Sequence, residues 1–249
     1  MENRAECTDT PLDEGLVLLI LAEVVSATSY LHSCSIMHRD LKPENILVGM
    51  DGHVLLADFG GAKRGVSLLP NDDHTMCGTP EYMAPEVISG SYGTTANWWS
   101  IGVIAFELLT MRLPLSNEIP KTAMEAIASQ KGTYHFLLLR KILNHPQGFC
   151  LHLPQQVSLH MSSFVTQLLT VEATIRLGAT GATEVLAHRV FASIDWKALI
   201  SKQLPAPLLD STSRFNSRSQ RTSNSSKAAS VKHFVNAAAN RFSDFVFSR

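Results

Sequence analysis

Between Trp98 and Leu109 the chain is apolar on nearly every side of a helix, with only Ser100, Gly102 and Glu107 interrupting Trp98, Trp99, Ile101, Val103, Ile104, Ala105, Phe106, Leu108 and Leu109. A helix without a polar face has to be enclosed by other elements. The chain is therefore expected to fold as a mainly α domain with this segment at its centre. Apolar residues make up 45% of the 249 residues, enough to build such a core. Thr10, Pro11, Leu12, Asp13 and Glu14 form a helix-start signal, and the apolar pattern behind them predicts a long helix to about His32. Further helices are predicted near 121–130, 135–143, 159–169 and 183–186.

Two short apolar runs, 46–48 and 53–57, flank Gly49-Met50-Asp51-Gly52 and read as a β-hairpin. From Asp58 to Glu86 the sequence is irregular and rich in Gly, Pro and Asp, too long for a passive connection. Beyond Leu204 the composition shifts to Pro205-Ala206-Pro207 and a Ser/Arg-rich run over 211–230, which reads as a linker. The expected division is a domain over 1–203 and a largely disordered tail over 204–249.

A net charge of −1 gives no bulk attraction to nucleic acid, so none is expected as a partner. The four cysteines have no paired spacing, which argues against a disulfide framework and for a reducing, cytoplasmic setting, with the nucleus as a second compartment. His74 and Cys77 lack the second pair a zinc site needs. The apolar stretch 16–25 is about half a membrane span and holds Glu23, so no span is expected.

The chemistry is concentrated in His38-Arg39-Asp40-Leu41-Lys42-Pro43-Glu44-Asn45, which fits a phosphotransfer catalytic loop at every specified position. Asn45 opens the first hairpin strand and Asp58 follows the second, so antiparallel pairing brings the two together. An amide oxygen and a carboxylate would then meet beside Asp40, a pair of hard oxygen donors suited to Mg²⁺. Asp58-Phe59-Gly60 and Ala84-Pro85-Glu86 bound the irregular segment.

With these residues, Cys77-Gly78-Thr79-Pro80-Glu81-Tyr82-Met83 and Arg176-Leu177-Gly178, the chain resembles the C-terminal lobe of AGC-group serine/threonine protein kinases, close to the ribosomal-S6-kinase-like members, over about 12–203. The resemblance implies a helical lobe with a small hairpin at the catalytic site, and ATP and Mg²⁺ as cofactors. Asp40 would orient the substrate hydroxyl and take its proton, Lys42 would contact the γ-phosphate, and Asn45 and Asp58 would hold Mg²⁺. Leu47 and Ala57 would form the adenine floor. Thr75 matches the activation-loop phosphosite, served by an upstream kinase, with Arg39 and Lys63 as partners of the phosphate. Glu44 and Glu107 would select basic residues in protein substrates, and Met76, Pro80 and Met83 would make the neighbouring pocket apolar. Thr79 would bond near Asp40. Glu86 and Arg176 would form a structural ion pair.

The pattern departs from the family in three places. The catalytic aspartate is only the fortieth residue, with no Gly-rich loop before it, so an N-lobe is expected to be missing, the chain truncated, and ATP binding weak. Asn97 stands where the family has an aspartate that accepts hydrogen bonds from the catalytic loop. In the tail, Phe242, Phe245 and Phe247 match the aromatic positions of the AGC hydrophobic motif, but Val246 occupies its phosphorylatable place. These departures keep a second reading open, a non-catalytic, pseudokinase-like module that binds kinase partners or substrates. On that reading Asp40, Asn45 and Asp58 are inert turn residues, and Glu107 simply ends a buried helix or holds a structural hydrogen bond.

Overall fold

In the computed structural model, residues 12–68, 76–114, 151–208 and 229–231 are described. Helix α1 spans Glu14–Ser33 and begins at Asp13, whose carboxylate accepts from the backbone N–H groups of Gly15 and Leu16. Such an acceptor satisfies donors that the first helical turn leaves unpaired. By length and composition alone α1 could cross a membrane, because Ser26–Tyr30 extend the apolar stretch with small and aromatic residues. Its residues Val17, Ile20, Leu21, Val24 and Val25 are instead packed in the protein core.

The central helix, α3, spans Thr95–Thr110, and every residue except Glu107 and Thr110 is buried. Helix α1 packs on one side of it and α4, Leu159–Leu168, on another. The approach of α3 to α4 depends on Gly102, where a Cβ would fall 2.9 Å from Leu168 Cβ. Glu14 accepts from both the backbone N–H and the hydroxyl of Ser158, the N-cap of α4, joining the starts of α1 and α4. Shorter helices complete the described bundle: α2 at Pro85–Ser89, α5 at Ala182–Leu186 and α6 at Trp196–Ile200.

Two small antiparallel sheets lie at the end of α1. Strands β1 (Ile36–Met37) and β4 (Lys63–Arg64) pair with Met37 opposite Lys63. Strands β2 (Ile46–Val48) and β3 (Val54–Leu56) form the hairpin, with Ile46 opposite Leu56 and Val48 opposite Val54. Glu23 pins this hairpin to α1, its carboxylate accepting from the backbone N–H of Val54 at 2.7 Å and from the His53 ring.

Two ordered features lie in the stretch read as linker and tail. The run 211–230 reads as linker, yet Ala229–Ser230 form strand β5, which joins the free edge of β2 with Ser230 opposite Leu47, and Val231 is buried. Just beyond the expected boundary near residue 203, Leu208 is buried and its N–H donates to Gly52 O. Among the shorter elements, β1, β4 and α6 have too few residues for periodicity to reveal them. The helices expected near 121–130 and 135–143, and the aromatic positions Phe242, Phe245 and Phe247, lie outside the described residues.

Candidate active site

The Asp40 carboxylate is the point on which the catalytic loop and the segment around Thr79 converge. Its Oδ1 accepts from the Thr79 backbone N–H at 2.8 Å and from the Thr79 hydroxyl at 2.7 Å. Its Oδ2 accepts from the Asn45 amide at 3.1 Å and pairs with Lys42 Nζ at 2.9 Å. Lys42 Nζ also donates to Thr79 Oγ1 at 2.7 Å, closing a triangle of Asp40, Lys42 and Thr79. Burial alone would raise the Asp40 carboxyl, but the hydrogen bonds from Lys42 and Thr79, with the Lys42 charge, outweigh it and hold the group below its ordinary range.

The loop is supported from beneath by residues whose side chains face inward. His38 is fully buried; its Nε2 lies 3.0 Å from Ala57 O, so Nε2 carries the proton, and Nδ1 faces the Asp40 N–H at 3.4 Å as acceptor. Burial pushes this ring below its ordinary pKa, consistent with a neutral tautomer. Phe59 tilts against the His38 ring with centroids 5.0 Å apart. Arg39 has a left-handed backbone, φ 70°, and its Nε donates to Gly61 O.

The position before Thr79 admits only glycine. Gly78 has φ 107°, and a Cβ there would lie 2.4 Å from Arg39 O. That close approach sets the Thr79 N–H against Asp40.

The hairpin positions the remaining oxygens. Ala57 N–H donates to Asn45 O at 2.8 Å, which places Asp58 beside Asn45 at the open end of β2 and β3. The Asn45 side-chain nitrogen is committed to Asp40, through its backbone O at 2.8 Å and its carboxylate, leaving the amide Oδ1 as a donor atom for a ligand. Asp58, left-handed at φ 60°, uses Oδ1 to accept from Gly60 N–H at 3.2 Å. Among the described residues no three His, Cys, Asp or Glu side chains cluster as a closed metal cage. One amide oxygen and one carboxylate suit instead an ion completed by phosphate and water, as Mg²⁺ is commonly held.

Other sequence candidates are dispersed. Leu47, on β2, is half-buried, Glu44 is exposed, and Lys63 is half-buried on β4. Glu107 accepts a hydrogen bond from the Tyr82 hydroxyl, whose ionisation is driven far upward by burial and by the Glu107 charge. Met76 is exposed and Pro80 half-buried. Met83 is 6% exposed and packs against the core. Thr75 lies outside the described residues.

Glu86 and Arg176 meet as a two-pronged pair, Nη1 to Oε1 and Nη2 to Oε2, the latter at 2.9 Å. Arg176 is fully buried; it also donates to Thr170, Val171 and Thr95 carbonyls and lies over the Trp99 ring. Asn97 is 1% exposed and accepts from the Arg39 N–H at 3.3 Å. Its nitrogen contacts His32, a residue that sequence reasoning missed because nothing in the spacing of 32 and 97 signals their contact.

The family described as protein kinase domain matches residues 2–191 of the chain. The chain belongs to that family. Its relatives include the human cAMP-dependent protein kinase catalytic subunit PRKX, 39% identical over 195 residues, which cover 77% of this chain and 48% of PRKX. The Arabidopsis thaliana serine/threonine-protein kinase AtPK2/AtPK19 is 37% identical over 194 residues, 77% of this chain and 36% of that protein. The probable serine/threonine protein kinase IRE of Arabidopsis thaliana is 35% identical over 241 residues, 83% of this chain and 19% of that protein. By family this protein kinase is of the serine/threonine kind, and it spans about half or less of the length of these relatives.

Proposed function

We propose that these residues are the C-terminal-lobe part of an AGC-type, ribosomal-S6-kinase-like enzyme, which as a whole transfers the γ-phosphoryl group of ATP to serine or threonine in basic protein substrates. The observation that carries this reading is the Asp40 carboxylate, held ionised by Lys42 and Thr79 beside the oxygens of Asn45 and Asp58. Motif residues 77–86 and the likeness to a cAMP-dependent protein kinase support the subgroup.

On this reading Asp40 orients the acceptor hydroxyl and receives its proton. Thr79 fixes the carboxylate while Lys42, 2.9 Å from it, supplies positive charge at the transferring group. Asn45 Oδ1 and the Asp58 carboxylate would hold Mg²⁺, which when bound offsets the negative charge of the phosphates. Leu47 lies on the strand next to Asn45, where it would support the adenine ring. Phosphorylation of Thr75 by an upstream kinase would engage Arg39 and Lys63. Glu44 and Glu107 would favour arginine in the substrate, and the cytoplasm is the compartment such substrates imply.

The substrate class is tested by following phosphate incorporation, with the full-length protein, into a serine peptide bearing arginines upstream and into the same peptide with those arginines replaced by alanine. Preference for the arginine peptide, reduced by Glu44→Gln, supports the reading. Equal use of both peptides contradicts it.

A further inference from the structure

Strand β3 is the outer strand of its sheet and buries no side chain fully: Val54 and Leu56 are half-buried and Leu55 is 51% exposed. Its partner β2 differs, with Ile46 and Val48 in the core. Apolar packing therefore fixes β2 far more firmly than β3. Yet β3 runs directly into Ala57 and Asp58, so the place of the Asp58 carboxylate relative to Asn45 depends on it.

Directional bonds hold this strand at both ends. At the far end Ala57 donates its N–H to Asn45 O at 2.8 Å, and its carbonyl oxygen lies 3.0 Å from His38 Nε2. At the near end the grip comes from α1. One Glu23 oxygen accepts from the Val54 N–H at 2.7 Å and the other contacts the His53 ring, with both side chains about nine-tenths buried. Ala22 and Val24, its neighbours in α1, are fully buried, and the Glu23 carboxylate is withdrawn from water at a cost in desolvation. An apolar side chain would bury the same surface without that cost, but it has no directional hold on a strand that can slide.

We propose that Glu23 is a positioning residue for the metal site: its two-pronged hold on His53 and Val54 fixes β3 against α1, and through β3 sets the Asp58 carboxylate beside Asn45 Oδ1. This role rests on the reading of Asn45 and Asp58 as Mg²⁺ ligands. Glutamine at position 23 would keep the hold, since its oxygen can receive the Val54 N–H while its nitrogen donates to an unprotonated nitrogen of the His53 ring. Leucine, of similar size, would keep only the packing.

The test measures Mn²⁺ binding to the full-length protein in the presence of ADP, by electron paramagnetic resonance of the free ion, with amide hydrogen exchange alongside and Asp58→Ala as the reference for a lost ligand. Glu23→Leu should weaken Mn²⁺ binding at least tenfold, and should speed exchange of the Ala57 N–H at least ten times more than that of the α3 amides. Glu23→Gln should stay within threefold of the unsubstituted protein. Unchanged binding in Glu23→Leu, where Asp58→Ala loses it, overturns the positioning role and leaves the metal reading standing. Unchanged binding in Asp58→Ala, or none by the unsubstituted protein, overturns the metal reading and the positioning role with it. An equal acceleration at Ala57 and throughout α3 would show a general loss of stability and overturn the role, as would Glu23→Gln binding as weakly as Glu23→Leu. Should Glu23→Leu fail to fold, Glu23→Asp, which withdraws the same carboxylate by one methylene, is read by the same two measurements with the same expected result.

Discussion

The Asn97 side-chain nitrogen lies 2.9 Å from His32 Nε2, while its oxygen accepts from the Arg39 N–H in the catalytic loop. The amide can only donate at that nitrogen, so His32 accepts through an unprotonated Nε2. Burial takes this ring down to about 4, and it packs edge-on to Trp98. An aspartate at 97 would set a carboxylate against the same lone pair. The amide is therefore matched to a neutral His32, and the lack of charge at residue 97 does not leave the Arg39 backbone without an acceptor.

Two consequences can be measured. In the unsubstituted protein the unfolded His32 takes up a proton near pH 6.5 and the folded one only near 4, so the folded state binds fewer protons between these values. Stability is complete above pH 6.5 and falls as pH drops toward 4, by on the order of 3 kcal/mol from this group. In Asn97→Asp the His32 pKa should rise, which NMR titration of the ring would show. An unchanged pKa would mean that residue 97 does not set the state of His32.

Arg176 is fully buried and all its bonds depend on a planar, branched cation. Glu86→Ala would leave that charge without its carboxylate and should cost about 3–5 kcal/mol in urea unfolding. A loss below about 1 kcal/mol would show that the neighbouring carbonyls suffice.

Gly78→Ala would force a Cβ into Arg39 O at a left-handed φ, so the segment must shift. The expected result is a loss of roughly 1–3 kcal/mol, together with release of the Thr79 contacts to Asp40, read as a rise of the Asp40 pKa. Thr79→Ala should raise the same pKa without the backbone penalty, because it removes the hydroxyl's bonds to Asp40 and Lys42 and leaves the Thr79 backbone N–H in place. The sign follows from the depressed carboxyl: its stabilising effect is present above the ordinary carboxylate range and lost as pH falls through the folded value.

The catalytic loop and the hairpin were legible in the sequence because their information is local. Contiguous residues 38–45 carry the motif, and the turn 49–52 dictates which strand ends meet. Helices α1 and α3 were legible within about three residues at each end, since long apolar patterns and a capping Asp13 announce them. What escaped depends on distant partners. Glu23 looked like a flaw in an apolar run until Val54 and His53 appeared opposite it. Strand β5 has two residues in a Ser-rich segment, and only the free edge of β2 gives it a reason to be extended.

The central claim is that Asp40 serves phosphoryl transfer, and it is tested most directly by the rate of phosphate transfer from ATP to an arginine-containing serine peptide, catalysed by the full-length protein and by its Asp40→Asn variant. The asparagine keeps the shape but cannot take the proton, so kcat should fall about 10²–10⁴-fold with an unchanged fold. Equal rates for the two proteins, or no transfer by either, would contradict the account and favour a role in binding alone.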